Sequence, residues 1–404
     1  MNILFVADVS ISSVIGGAER VLFEQSSRLA QRGHDVHILT RKLPFHLQNQ
    51  EVILGVKEWR YNVGHQRGVL SFFKKTWQNS KRLFEFLQSK FRFDCINFHQ
   101  PFSAIGAVRS PLSRNIKKVY TCHSLSFEEY ISRNAKPDEF TGKSLYFFNI
   151  FVRKWLEKDV LKKSDEILAL SRFTQDSLFR AHKIPKQSVS IIPGGVDLKR
   201  FHPADDKIKI RQRFNILSEK IVLFTVRNLV PRMGLENLIL AIQTVADNAP
   251  DICLVIGGEG PLGGKLGALS EELRVKDNVI FTGFIPEEEL PDYYRMADLF
   301  VLPTRELEGF GLVTLEAMAS GVPVLGTPVG GTKEILGKFD PGFLFKDTSP
   351  DAMAKLILEK YQLIHHNPEV WNDFSKRCRQ FVEENYSWEK NVDALETLFR
   401  EKTG

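Results

Sequence analysis

The sequence predicts an α/β protein made of two similar doubly wound domains, each a parallel sheet covered by helices on both faces. Three observations predict it. Apolar runs of strand length alternate with amphipathic helical stretches from one end of the chain to the other. Strands of this Val/Ile/Leu/Phe type, separated by helices, belong to parallel sheets with two buried faces. The runs fall into two series, and 404 residues exceed one typical core and suit two domains.

The first series reads "NILFVADV" (2–9), "DVHILT" (35–40), "CINFH" (95–99), "KKVYTCHS" (117–124), "EILALS" (166–171) and "VSIIPGG" (189–195). The second reads "KIVLFTVRN" (220–228), "ICLVIGGEG" (252–260), "NVIFTGF" (278–284), "LFVLPT" (299–304) and "PVLGTPVGG" (323–331). The Gly-Gly turn and Pro203 of "IIPGGVDLKRFHP" (191–203) end the first series. The expected domains are therefore 1–200 and 201–386, followed by a last helical segment, "SWEKNVDALETLFREK", within 387–404.

The net charge of +6 is mildly basic and favours anionic partners without choosing among them. Four scattered cysteines, Cys95, Cys122, Cys253 and Cys378, have no metal-ligand spacing and fit a reducing compartment. "MNILFVADVS" lacks a basic start and a small-residue cleavage site, so it reads as a first core strand. No apolar run reaches the ~20 residues of a membrane span. A cytoplasmic protein is expected, with no nucleic-acid partner. The stretch "FFKKTWQNSKRLFEFLQSKFRF" (72–93) interleaves six Lys and Arg with aromatics. It reads either as a surface helix with a solvated basic face or as a peripheral contact on the inner face of an anionic membrane.

Chemistry gathers at strand ends. "GGAER" (16–20) opens a helix after the first strand, where glycines bring a ligand near exposed N–H groups. A tight turn without a ligand explains it equally well. "GEGPLG" (258–263) matches the dinucleotide pattern G-x-G-x-x-G, yet the next strand ends in Gly283 and Phe284 instead of an acidic residue, which argues against a dehydrogenase. "EGFGLVTLE" (308–316) is more specific. A helix starting near Gly311 suits a diphosphate, and carboxylates on either side of an anion site suit hydroxyl groups at its two ends. Capping by Glu308 and solvation of Glu316 form the bland alternative. His123 ends another strand and reads equally well as a donor to a phosphate or hydroxyl and as a plain strand-end histidine. No D-x-D pair occurs, so neither a bound divalent metal nor any other cofactor is expected.

These stretches, with "TCHS" (121–124), "ALSRFT" (169–174), "VIGGEGP" (255–261), "VIFTGFIP" (279–286) and "LEGFGLVTLEAMASGVPVLGTPVGG" (307–331), resemble the retaining glycosyltransferases of family 4 over nearly the whole chain. The resemblance implies the GT-B architecture, two facing Rossmann-like domains with a cleft between them. It implies a nucleotide-sugar donor, UDP- or GDP-linked, and a glycan or lipid-linked glycan acceptor. It places Glu308 at the transferred sugar, Glu316 at the ribose, and backbone from Gly309, Phe310, Gly311, Leu312 and Val313 at the sugar and diphosphate. Phe284 and Ile285 would meet the base. Gly16, Gly17 and His123 would complete the donor site from the first domain, Glu19 and Arg20 would border the acceptor, and the final helix would return to the first domain.

The chain departs from the family at one point. The usual G-R-L-V-P-x-K-G supplies an Arg and a Lys to the leaving diphosphate. Here "VRNLVPRMG" (226–234), aligned on Leu229 and Gly234, puts Asn228 and Met233 at those positions. Arg227 and Arg232 each sit one residue early. On a regular strand that shift turns Arg227 to the opposite face unless the chain bulges, and a lost cation costs a few kcal/mol of transition-state stabilisation. The expectation is front-face transfer with retention, with Glu308, His123 and Arg232 as the catalytic set. A catalytically weak partner subunit and an epimerase or hydrolase are the alternatives.

Overall fold

The computed structural model describes residues 1–13, 16–64, 68–134, 136–137 and 139–401. The chain divides into two compact units, Met1–Gly194 with the segment from Trp388 onward, and Gly195–Ser387. The boundary thus falls before residue 200, and hydrogen bonds explain the difference. Val196 N–H donates to the Tyr386 carbonyl at 3.0 Å, and Arg379 donates to the Leu198 and Phe201 carbonyls. Residues 195–200 are therefore stitched into the second unit.

The first unit holds an eight-stranded sheet. Its strands are β1 (Asn2–Val6), β2 (Asp35–Arg41), β3 (Gln50–Ile53), β4 (Val56–Tyr61), β5 (Cys95–Phe98), β6 (Lys117–Cys122), β7 (Glu166–Ala169) and β8 (Val189–Ile191). Their order is β3-β4-β2-β1-β5-β6-β7-β8. All pairings are parallel except β3 with β4. Alternate residues serve opposite faces, as strand geometry requires. Leu4, Val6, Ile96 and Phe98 join one apolar cluster, and Ile3, Phe5, Val36 and Ile38 the other. The helix Trp388–Arg400 covers the second face, where Val392, Leu395 and Phe399 pack with Phe5 and Leu22. Gln25 donates to Asn391 at 3.0 Å and Arg32 pairs with Asp393 and Glu396. The expected last residues of this segment, 402–404, lie outside the described residues.

The second unit holds β9 (Ile221–Val226), β10 (Ile252–Gly257), β11 (Val279–Gly283), β12 (Leu299–Leu302) and β13 (Val324–Gly326). The order is β11-β10-β9-β12-β13, with every pairing parallel. In each sheet the strand order reverses direction once, between β1 and β5 in the first unit and between β9 and β12 in the second. Ligands of open α/β sheets bind outside the carboxyl ends of strands at such reversals.

Candidate active site

In the second unit the chain leaves β12 through Pro303 and Thr304 and makes a loop before the helix Leu312–Ala319. Gly311 caps that helix at φ +90° and, being glycine, offers no side-chain cap, and the first turn holds no acidic residue. The loop rests on Gly330 and Gly331. Gly331 N–H donates to the Glu308 carbonyl at 2.9 Å, Gly330 has φ +60°, and a Cβ there would fall 1.9 Å from the same oxygen. Only glycine fits. The last residues of "PVLGTPVGG" are thus the seat on which Glu308 and Phe310 lie.

Glu308 meets the end of β9 across the reversal. One of its oxygens, Oε2, accepts from Arg227 Nη2 at 2.5 Å and from Thr304 Oγ1 at 3.2 Å. Arg227 Nη2 also reaches Thr304 Oγ1 at 3.1 Å. Both members of the ion pair are largely buried. This corrects the expectation that Arg227 turns away. Arg227, one residue past the end of β9, is buried against Met233, Thr304 and Glu308, while Asn228 is exposed. Asn228 makes no side-chain hydrogen bond among the described residues. Met233 is buried, and its sulfur accepts from Arg227 at 2.9 Å, so it backs the guanidinium. Arg232 Nη1 donates to the Leu307 carbonyl at 2.9 Å, and its own carbonyl takes the Arg305 N–H at 2.8 Å. It fastens the loop just ahead of Glu308, where Leu307 takes a left-handed φ of 57°.

Glu316 lies in the helix, 7% exposed, and accepts from the Tyr294 hydroxyl at 2.8 Å. Burial, reinforced by this carboxylate, drives the Tyr294 pKa far above its usual range. Tyr294 escaped the sequence reading because nothing in "PDYYRM" separates it from an ordinary core tyrosine. Phe310 is buried against Tyr386 at 6.1 Å between ring centres, so its side chain belongs to the core. Gly309, Leu312 and Val313 stay partly accessible. Phe284, just past β11, is exposed and Ile285 is buried. The fingerprint-like glycines have a packing reason. A Cβ on Gly258 would stand 2.0 Å from the Arg227 carbonyl oxygen, so the loops after β9 and β10 touch there.

In the first unit the helix Gly17–Gln31 starts after Gly16. A Cβ on Gly16 would lie 2.9 Å from Glu19 Oε2, so this carboxylate folds back over the first turn, and burial raises its pKa. Arg20 is turned along its own helix toward Glu24, at 3.9 Å. His123, just past β6, has Nε2 3.0 Å from Nδ1 of His99, just past β5. Burial pulls the His123 pKa down to about 4, and burial with the neighbouring ring also lowers that of His99 well below the usual value. Both rings are neutral near pH 7. His99 was missed, although "CINFH" and "VYTCH" both end in histidine on strands that prove adjacent.

The basic helix Val69–Phe91 buries Phe84 and Leu87 and packs Phe72, Phe73, Trp77, Leu83 and Phe91 against the core. Its apolar side is largely spent. Leu70 and Phe86 stay exposed on it, and a larger exposed apolar set lies on the helix Phe140–Lys163, where Leu145 is 55%, Phe147 53%, Phe151 66% and Trp155 39% exposed. No helix among the described residues is long and apolar enough to cross a membrane. No group of three His, Cys, Asp or Glu among the described residues is placed to hold a metal ion.

Two Rossmann-like units, with the chain's glutamate-glycine loop at the reversal of the second, define the GT-B class of glycosyltransferase fold. The "Glycosyltransferase Family 4" model matches residues 15–200 and "Glycosyl transferases group 1" residues 206–388. The chain belongs to glycosyltransferase family 4. It is 35% identical over 201 residues to the GDP-mannose-dependent alpha-(1-6)-phosphatidylinositol monomannoside mannosyltransferase of Mycolicibacterium smegmatis, a match spanning 48% of this chain and 52% of that relative. The N-acetyl-alpha-D-glucosaminyl L-malate synthase of Bacillus anthracis is 26% identical, over 95% of this chain and 94% of the relative. Among solved structures, sucrose-phosphate synthase from Thermosynechococcus elongatus superimposes with a TM-score of 0.80 at 24% identity, covering 99% of this chain and 98% of that one.

Proposed function

We propose that the protein transfers a sugar from a UDP- or GDP-linked donor to an acceptor hydroxyl, with retention at the anomeric carbon, in glycolipid or cell-surface glycan assembly. The observation that carries this reading is the Arg227–Thr304–Glu308 group at the reversal of the second sheet, beside a glycine-capped helix N-terminus. The relatives' names, which include GDP-mannose and sucrose phosphate, favour the same chemistry.

In this reading the first N–H groups of the helix Leu312–Ala319 meet the diphosphate. Glu316 holds the ribose hydroxyls, its buried position fixed by Tyr294. Glu308 orients the sugar. Arg227 exchanges part of its bond with Glu308 for the leaving phosphate, which itself takes the acceptor proton, so charge develops against a cation already in place. His123 donates to a sugar hydroxyl or phosphate as a neutral imidazole. No metal is invoked, since Arg227, Arg232 and the helix dipole carry the charge. Peripheral membrane contact is assigned to the helix Phe140–Lys163, where Lys154, Lys158 and Lys162 adjoin the exposed aromatics.

Calorimetric titration with UDP, GDP and ADP, followed by turnover assays with the matching sugar donors, tests the proposal. Selective binding, weakened at least tenfold in Glu316→Ala, is expected, with product formed only when an acceptor is supplied. Glu308→Gln should keep nucleotide affinity and lose about 10²–10³-fold in turnover. Binding without any turnover would favour a partner subunit. No binding by any nucleotide would overturn the proposal.

A further inference from the structure

The first sheet has its own reversal, and its residues are not used by the chemistry above. Asp8 follows β1, and Gln100 and Phe102 follow β5. Asp8 N–H donates to Gln100 Oε1 at 2.8 Å. Asp8 Oδ1 accepts from Ser103 N–H at 2.7 Å and Oγ at 2.6 Å, at the start of the helix Pro101–Val108. Tyr61 OH is 2.7 Å from the same Ser103 hydroxyl. These bonds fix the chain at the reversal, where the crevice of an open α/β sheet lies.

Two arginines border this reversal. The Arg153 guanidinium carbon stands 4.9 Å from the Phe102 ring centre and 4.8 Å from that of Tyr130. Arg41, which closes β2, stands 5.3 Å from the ring centre of Phe72, and the Phe72 and Phe102 rings meet edge-on at 6.2 Å. Among the described residues neither arginine has an ion pair or a side-chain hydrogen bond, and Arg153 Nε is buried without a partner. Other nearby groups are engaged: Glu129 takes Arg133 at 3.4 Å and the Ser124 hydroxyl. Burial lowers the Arg153 pKa, and the Asp8 carboxylate nearby only partly offsets it. A partly buried guanidinium within 5 Å of two ring centres is restrained in a way that suits recognition of an oxyanion.

We infer that this crevice is an acceptor subsite for a molecule carrying a phosphate or carboxylate, with Arg153 and Arg41 on the anion and Asp8 on an adjacent hydroxyl. The inference rests on the transfer reading and narrows it to anionic acceptors. It does not distinguish a soluble phosphate ester from a lipid headgroup, which offer the same chemistry.

The full chain is titrated with glucose 6-phosphate, glucose and inorganic phosphate, and with phosphatidylglycerol vesicles as the headgroup arm. The ester or the vesicles should bind at least tenfold tighter than the neutral sugar. Arg153→Gln and Arg41→Gln should each lose tenfold or more, with partial recovery in Arg153→Lys. Binding confined to vesicles and lost in Arg153→Gln identifies a headgroup and still supports the subsite. Equal affinity for charged and neutral sugars, no binding by any anion, or binding unchanged in Arg153→Gln overturns it. UDP and GDP titrated into the same samples separate the two ideas. Retained nucleotide binding shows that the variants fold and leaves the transfer reading standing if the subsite fails. Absent nucleotide binding in the wild type removes the transfer reading instead.

Discussion

A single oxygen of Glu308 accepts from both Arg227 and Thr304, so the carboxylate is oriented before any ligand arrives. The neutral pair His99–His123 is a second built-in constraint, and it has a pH signature. Both folded-state pKa values are depressed below the usual 6.5 of histidine, with His123 at about 4. The unfolded chain therefore binds more protons than the folded one between about pH 6.5 and 4. The stabilisation is present above the unfolded pKa and is lost as pH falls toward the folded values. Melting temperatures should drop through this window, and more gently in a His99→Gln/His123→Gln variant whose pH 7 stability is measured alongside. Equal slopes in the two proteins would show that other groups dominate. At this scale the sequence revealed both glutamates but not their partners. Tyr294 and Thr304 are chemically unremarkable in the chain, and they acquire roles only when β9 and β12 become neighbours.

Among the elements, the helix Phe140–Lys163 carries an apolar surface that no part of its own unit covers at Leu145, Phe147, Phe151 and Trp155. If it rests on an anionic bilayer, Phe147→Ser/Phe151→Ser should reduce co-sedimentation with phosphatidylglycerol vesicles at least fivefold while leaving nucleotide affinity unchanged. Undiminished sedimentation would remove this helix from the contact. The basic helix at 72–93 had drawn attention in the sequence because its lysines interleave with aromatics, yet all of those aromatics except Phe86 face the core. Periodicity alone does not reveal which side of a helix finds a partner. The long apolar strands were legible throughout. The hairpin β3–β4 was not, because "VKEWRY" carries Glu58 and Arg60, which are buried as an ion pair rather than exposed. Its turn uses a left-handed Leu54 before Gly55, also an unusual signal.

At the scale of the molecule, the two units follow one plan, a parallel sheet with chemistry at the strand-order reversal, and the two series of strands in the sequence foretold it. The boundary was less legible, since "GGVDLKR" looks like the end of the first series but hydrogen-bonds into the second unit. Removal of the last helix tests how far the units are independent. A chain ending at Ser387 would leave Phe5 and Leu22 without Val392, Leu395 and Phe399. Hydrogen exchange should accelerate across β1, β2 and the helix Gly17–Gln31, with the amides of β9, β10 and β12 unchanged. Equal protection in the first unit would show that its core closes without this helix.

The same return of the chain sets an order for biosynthesis. Residues of the first unit leave the ribosome before those of the second, but part of one face of its core waits for Trp388–Arg400, which emerge after the second unit. The second unit is continuous in sequence and can close while its predecessor still exposes Ile3, Phe5 and Val36. Throughout the translation of the second unit, this open face is a natural place for a chaperone to act. The unit begun before its neighbour is completed only after it.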